Sequence, residues 1–260
     1  MADCIAKQPH SRSHIAIRCR AVDDLIMEQL EDMTHAWSFG AQAMQVVNIG
    51  AGMCTRPWRL PLPGAIWFEV DRPDIIRLKK KILSQQPVAP TVGSYVAIGA
   101  DLSEQEVSLP ETLTANGFDP HLPTLFVMEG MLCYLSLEDL QDMAQDIQEL
   151  MGASPSRLIF TYINDGFLSQ LQKMNMSTGE PLFKTCWESG CKQIFEDAGW
   201  FLASKISREE YGLKNLKVPM LLFGFPDPRT ATEYIIVMKR TPAGGCGLLD
   251  SMWCKSSQSC

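Results

Sequence analysis

Two apolar runs, the first ending in glycines and the second in acids, constrain this chain more than any other feature. The first run, Gln45–Ile49, leads into Gly50 and Gly52, and the second is followed by Glu69 and Asp71. Glycines let a backbone turn sharply and approach a ligand, and an acid on the next strand accepts hydrogen bonds from ribose hydroxyls. The pattern therefore predicts a parallel α/β sheet that binds the ribose end of a nucleoside cofactor, without identifying the nucleoside.

The composition predicts one large globular domain. The chain has 260 residues, of which 46% are hydrophobic and 20% charged, enough for a substantial core. Its formal charge of −7 disfavours nucleic-acid binding, which needs a basic face. No apolar run reaches the roughly 18 residues of a membrane span. We expect a cytoplasmic protein without a membrane or nucleic-acid partner, and a transit peptide is a weaker alternative for the basic N-terminus.

Metal binding is not indicated. The nine cysteines include no CxxC pair, and the four histidines show no ligand spacing. A zinc site or a disulfide framework would need such spacings. We therefore expect reduced thiols and no metal.

Strand-like and helix-like segments alternate along the chain, which predicts a doubly wound sheet with helices on both faces. The apolar runs predict strands over 45–49, 65–70, 94–98, 124–128, 157–162, 218–223 and 232–238. Helices are predicted over 20–39, 74–84, 102–116 and 137–151, with Ser136 capping the last and Lys79–Lys81 on a solvated face. A short turn with two prolines between the final strands predicts an antiparallel hairpin at one edge. This seven-stranded, mainly parallel, Rossmann-like layout is that of class I methyltransferases; we predict the domain over 1–240 and a disordered tail over 241–260.

Glycines or acids lie at the C-terminal end of each of the first four predicted strands. They are Gly50 and Gly52 at the first, Glu69 and Asp71 at the second, Asp101 at the third and Glu129 at the fourth. Ligands of open α/β sheets bind in the crevice beyond these strand ends. One such acid is explained by simple solvation, but four strand ends in order favour a binding site.

S-adenosylmethionine has groups that match these side chains. Asp71 would accept hydrogen bonds from its ribose hydroxyls, and Asp101 with the backbone at Leu102 would meet its adenine. Glu129 would receive its ammonium and add negative potential near the sulfonium.

The carboxylate of this cofactor needs an arginine, which can form a paired, charge-assisted contact. Arg18 and Arg20 both precede the first strand, and either is a candidate. A surface role is the alternative for each.

A nicotinamide cofactor is the main rival, because it uses the same strand–turn–helix entry. Here Gly52 is followed by Met53, Cys54 and Thr55, with no third glycine, and prolines interrupt any long helix after the turn. The dinucleotide fingerprint is therefore incomplete. An NAD-linked oxidoreductase remains a distant alternative.

Five motifs together resemble those of the leucine carboxyl methyltransferase family. They are VNIGAGM at 47–53, TRPWRL at 55–60, FEVDRP at 68–73, GADL at 99–102 and EGMLCYL at 129–135. The likeness covers roughly residues 17–240. Members of this family use S-adenosylmethionine to methylate oxygen, and some esterify the C-terminal leucine carboxylate of a protein phosphatase catalytic subunit. Many bacterial and plant relatives have small-molecule or unassigned substrates.

The resemblance implies a cofactor site at the same residues. It assigns the cofactor carboxylate to Arg18 rather than Arg20, the amino-acid portion to Gly50, the ribose to Asp71, the adenine side to Asp101 and Leu102, and the amino-acid end to Glu129.

Two departures from the family pattern motivate a second hypothesis. Cys54 stands where the family commonly has an aspartate, and 17 residues precede Arg18, where the family usually has several dozen more. We expect a reduced lid or a shortened form. The alternative function is a catalytically degenerate binding or regulatory protein of the same fold.

The acceptor is predicted to be a carboxylate, on a small molecule or at a protein C-terminus. A carboxylate is ionised at neutral pH and needs no general base, whereas a hydroxyl would need one, and the sequence offers no evident base. Tyr134, Tyr162 and Asn164 follow or end the fourth and fifth strands, and they are expected either to line the acceptor pocket or to serve in the core and in capping. No catalytic residue and no oligomeric state are indicated.

Overall fold

Seven strands form one sheet in the structure, a computed structural model that describes residues 11–36, 43–104, 106–152, 154–175, 182–218 and 231–240. The strands are β1 (Met44–Ile49), β2 (Leu62–Asp71), β3 (Val92–Gly99), β4 (Thr124–Met128), β5 (Ser156–Ile163), β6 (Phe201–Ser207) and β7 (Glu233–Arg240). Their order across the sheet is β3-β2-β1-β4-β5-β7-β6. The first five are parallel, and β7 runs antiparallel to both of its neighbours. The predicted fold class is confirmed.

Helices cover both faces of the sheet. They are α1 (Ser11–Ala36), α2 (Pro73–Leu83), α3 (Leu109–Ala115), α4 (Leu137–Glu149), α5 (Asp165–Asn175), α6 (Cys191–Asp197) and α7 (Arg208–Asn215). Single 3₁₀ turns lie at Arg56–Trp58, Leu132–Tyr134 and Trp187–Ser189.

Alternation along the strands builds two apolar layers, because successive side chains point to opposite faces. On β1, Val46 packs in the layer under α1, whereas Val47 packs in the layer that includes α3, α4 and α6. The same alternation places Trp67 and Phe68 of β2 in opposite layers. The sheet is thus buried on both sides, as a parallel sheet requires.

Helix ends follow their capping residues. The capping box predicted at Ser136 is present, with Ser136 accepting from the backbone of Asp139 at 3.1 Å and Asp139 accepting in return at 2.8 Å. The helix predicted over 102–116 begins only at Leu109, because Ser108 caps it. The first helix begins at Ser11, earlier than predicted.

The sixth strand was predicted at 218–223, whereas β6 is Phe201–Ser207. Most of its side chains are exposed, because β6 lies at the sheet edge, so it lacks the apolar run that identifies a buried strand. β6 pairs antiparallel with β7 at the sheet edge, as predicted for the last two strands. α7 follows β6 along the chain, and the predicted proline turn at 226–228 lies outside the described residues. Residues 219–223 and the predicted tail at 241–260 lie outside the described residues.

A buried ion pair corrects the prediction that Lys79 is solvated. Lys79 is 4% exposed, and its ammonium donates to Glu69 Oε2 at 2.5 Å. The Tyr95 hydroxyl donates to the same oxygen at 2.7 Å, and the ring of Trp58 lies 5.7 Å from the ammonium. Glu69 therefore ties β2 to α2 and β3, and Lys79 also contacts the turn after β1.

Replacing Lys79 with Met should lower the free energy of unfolding by about 3–5 kcal/mol at neutral or higher pH, because a buried carboxylate loses its cation. Burial raises the pKa of Glu69 even with Lys79 present, and the substitution should raise it further. An acid whose folded pKa is raised binds protons better when folded, so the deficit should shrink as pH falls. Urea denaturation at several pH values measures both effects.

Lys80→Met is the matched control, because Lys80 is exposed and donates to the Ala97 carbonyl rather than to a buried acid. It should leave stability nearly unchanged. Equal losses for the two variants would contradict the assigned role of Lys79.

Candidate functional site

The carboxyl ends of β1 to β4 meet at one edge of the sheet. Ile49 pairs with Val70, Asp71 pairs with Gly99 and Asn48 pairs with Val127. Since β2 and β4 flank β1 on opposite sides, the chain order reverses at β1. Such a switch point leaves a crevice in which open α/β sheets bind ligands.

The glycine turn after β1 has a backbone that other residues rarely adopt. The φ angles of Gly50 and Gly52 are +67° and +49°, in the left-handed region that favours glycine. A Cβ on Gly50 would lie 2.7 Å from the sulfur of Met131. The turn therefore packs closely against the segment that follows β4.

Asp71 lies beside this turn. Its Oδ2 accepts from the Gly52 amide at 2.6 Å, and its Oδ1 accepts from the Arg72 amide at 2.7 Å. Each carboxylate oxygen can accept a further hydrogen bond. Asp71 is thus fixed by the backbone and is still half-exposed at the edge of the sheet.

Asp101 follows β3, and its backbone neighbour Ala100 donates to the Asp71 carbonyl at 2.9 Å. Its Oδ1 accepts from the hydroxyl of Ser103 at 2.7 Å and from the Ser103 amide at 3.1 Å. These bonds hold the pKa of Asp101 below its ordinary value. Asp101 closes its own turn, with Leu102 half-buried beside it.

Glu129 follows β4 and lies between two guanidinium groups. Its Oε1 accepts from Arg18 Nε at 2.8 Å, and its Oε2 accepts from Arg56 Nη2 at 2.6 Å. Burial by itself would raise the pKa of Glu129, but Arg56 and Arg18 more than offset burial, so the pKa lies below its ordinary value. Glu129 is therefore a carboxylate at neutral pH.

Arg18 reaches this edge from α1. Besides Glu129, it donates from Nη1 to Glu233 Oε1 at 3.0 Å. Its Nη2 has no hydrogen-bond partner among the described residues, and it lies 3.1 Å from where a Cβ on Gly130 would be. Arg20, the other candidate, is 62% exposed and pairs with Asp24 at 2.8 Å, a surface role.

Of the acids predicted at strand ends, Glu69 does not reach this edge. Its side chain points toward α2, where it pairs with Lys79. Strand alternation by itself cannot separate Glu69 from Asp71, which share one face of β2; only the position of Lys79 distinguishes them.

Three charged residues of this region were not assigned a role from the sequence: Asp23 on α1, Arg56 after β1 and Glu233 at the start of β7. Arg56 donates from Nε to Asp23 at 2.6 Å. Glu233 accepts from Arg18 and, at 3.5 Å, from Arg208. The sequence does place Asp23 beside the apolar face of α1, which indicates a buried charge that needs a partner. That partner, Arg56, lies 33 positions away and could not be identified from the sequence.

The three residues proposed for the acceptor pocket differ in environment. Tyr162 is buried, and its hydroxyl donates to Thr185 at 2.5 Å. The Asn164 side chain accepts from the Phe167 amide at 2.9 Å, as a helix cap. Tyr134 is 40% exposed, and its ring lies 5.0 Å from that of Phe183. Core and capping roles therefore hold for Tyr162 and Asn164, and only Tyr134 is open to a ligand.

The nearby thiols are protonated at neutral pH. Burial, with help from Glu129, raises the pKa of Cys19 to about 11, and burial raises the pKa of Cys54 although Arg56 opposes it. A nucleophilic cysteine needs a lowered pKa, so neither is suited to that role. Within the described ranges, no cluster of side chains could hold a metal ion, and no helix is long and apolar enough to span a membrane.

The strand order, the antiparallel β7 and the switch point lined by glycines and acids together define the class I methyltransferase fold. The profile of the family described as leucine carboxyl methyltransferase matches residues 2–148. The chain belongs to the leucine carboxyl methyltransferase family.

Two relatives are provisionally named S-adenosyl-L-methionine-dependent methyltransferases. One, from Parafrankia, is 37% identical over 147 residues, which are 56% of this chain and 43% of that protein. Another, from Mycolicibacterium smegmatis, is 28% identical over 217 residues, which are 79% of this chain and 68% of that protein. The matched segment thus spans less than half of the first relative.

Solved structures share the fold at low sequence identity. A provisionally described methyltransferase from Thermobifida fusca has a TM-score of 0.60 and 17% identity, covering 92% of this chain and 86% of its own. Magnesium protoporphyrin IX methyltransferase from Synechocystis, with bound SAH, has a TM-score of 0.55 and 12% identity, covering 89% and 86%.

Gly130→Ala should destabilise the protein by two effects. The φ of Gly130 is +70°, which costs an alanine roughly 1–2 kcal/mol, and the new Cβ would press on Arg18, which two ion pairs hold in place. Gly117→Ala is the control, because Gly117 has a φ of +91° and open space around it. Thermal unfolding should show a further loss of about 1–2 kcal/mol for Gly130→Ala; equal losses would contradict the close packing of Arg18.

Proposed function

We propose that this chain is an S-adenosylmethionine-dependent O-methyltransferase whose acceptor is a carboxylate. Family membership supports the reaction class. The observation that carries the proposal is the pair of groups on either side of the switch point. Asp71 is fixed to the glycine turn at 2.6 Å, and the ionised Glu129, which pairs with Arg18 of α1, follows β4.

These two groups suit the two polar ends of the cofactor. Asp71, with acceptor capacity to spare, would hold the ribose hydroxyls, and Asp101 with Leu102 would lie on the adenine side. Glu129 would take the ammonium, and Arg18 would take the carboxylate through Nη2. Gly50 and Gly52 would let the backbone approach the amino-acid portion.

The reaction needs alignment rather than a proton shuttle. Bound S-adenosylmethionine would supply an activated methyl group: the acceptor oxygen would form a bond to the methyl carbon as the carbon–sulfur bond broke, and the electrons of that bond would stay on sulfur to leave S-adenosylhomocysteine. An acceptor carboxylate is already ionised, so no proton is removed. The protein would position the reactants and exclude water.

The acceptor would lie near Tyr134, on the turn that follows Glu129 and Gly130. The exposed ring of Tyr134 packs beside Phe183, which offers an apolar surface. This surface favours an acceptor with an apolar body, and the carboxylate itself is proposed because it needs no general base, whether on a small molecule or at a protein C-terminus.

Isothermal calorimetry should detect saturable binding of S-adenosylhomocysteine to the wild type and at least a roughly tenfold weaker affinity for Asp71→Asn, because hydrogen bonds to a charged acceptor contribute about 1.5–3 kcal/mol. Asp74→Asn is the control, since Asp74 is exposed and pairs with Arg72. Unchanged binding by Asp71→Asn would remove Asp71 from the site.

Methyl transfer from labelled cofactor to carboxylic acids and to leucine-ending peptides should give a product that releases labelled methanol in alkali, because methyl esters hydrolyse and methyl ethers do not. An alkali-stable label would contradict a carboxylate acceptor. Cofactor binding without transfer to any acceptor in a cell extract would instead support the degenerate binding protein, which the thiol of Cys54 beside Arg56 also motivates.

A further inference from the structure

Arg56 is the most enclosed charged group at this edge of the sheet among the described residues that contact Glu129. It lies in the 3₁₀ turn after β1, and only 3% of its side chain is exposed. Its guanidinium therefore cannot reach a ligand in the crevice directly. Any effect of Arg56 on a ligand must pass through the groups it contacts.

Those contacts fix the guanidinium on every side. Nε donates to Asp23 at 2.6 Å, Nη1 to the Cys54 sulfur at 3.5 Å, and Nη2 to the Cys19 carbonyl at 3.4 Å and to Glu129 at 2.6 Å. A planar fork with donors in fixed directions suits such a multiple contact, and an ammonium does not. Arg56 thus joins α1 to the carboxylate after β4.

Arg18 and Arg56 each donate to one carboxylate oxygen of Glu129, but their surroundings differ. Arg18 has a nitrogen close to Gly130, and it is the group proposed to bind the cofactor carboxylate. Arg56 is enclosed. If Arg18 turns toward the ligand, Arg56 is the cation that stays with Glu129.

We infer that Arg56 is a positioning residue that holds Glu129 in place and ionised for the cofactor's ammonium. The inference rests on the proposed function, since it assigns a task within the same site. Asp23 anchors Arg56 from α1. Arg56 keeps one oxygen of Glu129, and the other stays directed at the ligand.

Among the described residues, the charged and titratable groups that bond to Glu129 are Arg18 and Cys19 from α1 and Arg56 from the turn after β1. The thiol of Cys19 stays protonated at neutral pH, so the two arginines set the ionisation of Glu129. Weakening the Arg56 contact should raise the pKa of Glu129. Affinity for an ammonium exists above that pKa and is lost as pH falls through it.

Arg56→Lys tests this role, because it keeps the charge and removes the fork. Calorimetry with S-adenosylhomocysteine should show at least a roughly tenfold weaker affinity, and the loss should grow as the pH falls toward the pKa of Glu129. Arg59→Lys is the matched control. Arg59 belongs to the same turn and also donates to Asp23 at 2.8 Å, but it is 40% exposed and has no contact with Glu129. Its affinity and pH profile should match the wild type.

A double-mutant cycle separates positioning from general stability. In a Glu129→Gln background, Arg56→Lys should weaken binding by less than about twofold, because the group through which it acts is neutral. A full loss in both backgrounds, or an unchanged affinity and pH profile for Arg56→Lys alone, would overturn the inference. Absence of binding by the wild type would instead overturn the proposed function, and the inference with it.

If Arg56→Lys lacks a cooperative unfolding transition, the wild type provides the test. In the S-adenosylhomocysteine complex, NMR of the Arg56 guanidinium should show Nη protons that exchange slowly with water, because Nη1 and Nη2 both keep their hydrogen bonds. Rapid Nη exchange in the complex would overturn the inference.

Discussion

The structure depends on a series of buried and partly buried ion pairs that joins four parts of the fold: α1, the turn after β1, the residue after β4 and the start of β7. Asp23 of α1 binds Arg56, Arg56 and Arg18 bind Glu129, and Arg18 continues to Glu233 of β7. Burying charges is costly unless each is paired and hydrogen-bonded. Acidic and basic side chains alternate along this series of ion pairs, so each charge has a neighbour of opposite sign. Apolar packing holds α1 on the sheet, and the ion pairs fix its position along the sheet.

The same arrangement would accommodate the charged cofactor that we propose. S-adenosylmethionine carries an ammonium and a carboxylate, and the Arg18–Glu129 pair presents the complementary charges. Without the ligand, these two groups neutralise each other at 2.8 Å. In the proposed complex Arg18 would exchange Glu129 for the ligand carboxylate, and Glu129 would exchange Arg18 for the ligand ammonium. Each exchange keeps the sign of the partner, so no charge is left uncompensated.

Much of the fold follows from the sequence because its central strands are continuous apolar runs that only a sheet covered on both faces can bury. The strand ends follow for the same reason, and with them Gly50, Asp71 and Glu129. The position of β6 could not be predicted, because an edge strand with exposed side chains carries no such signal. The buried ion pairs of Lys79 and Arg56 could not be predicted either. Their partners lie 10 and 73 positions away, and a charged side chain is expected in solvent until the fold supplies its partner.

A crystal structure of the chain with bound S-adenosylhomocysteine tests the central claim most directly. We expect the ribose on Asp71, the ligand carboxylate on Arg18, and the ligand ammonium on Glu129, with Glu129 still bonded to Arg56. A ligand bound elsewhere, or Asp71 and Glu129 facing separate cavities, would contradict the account.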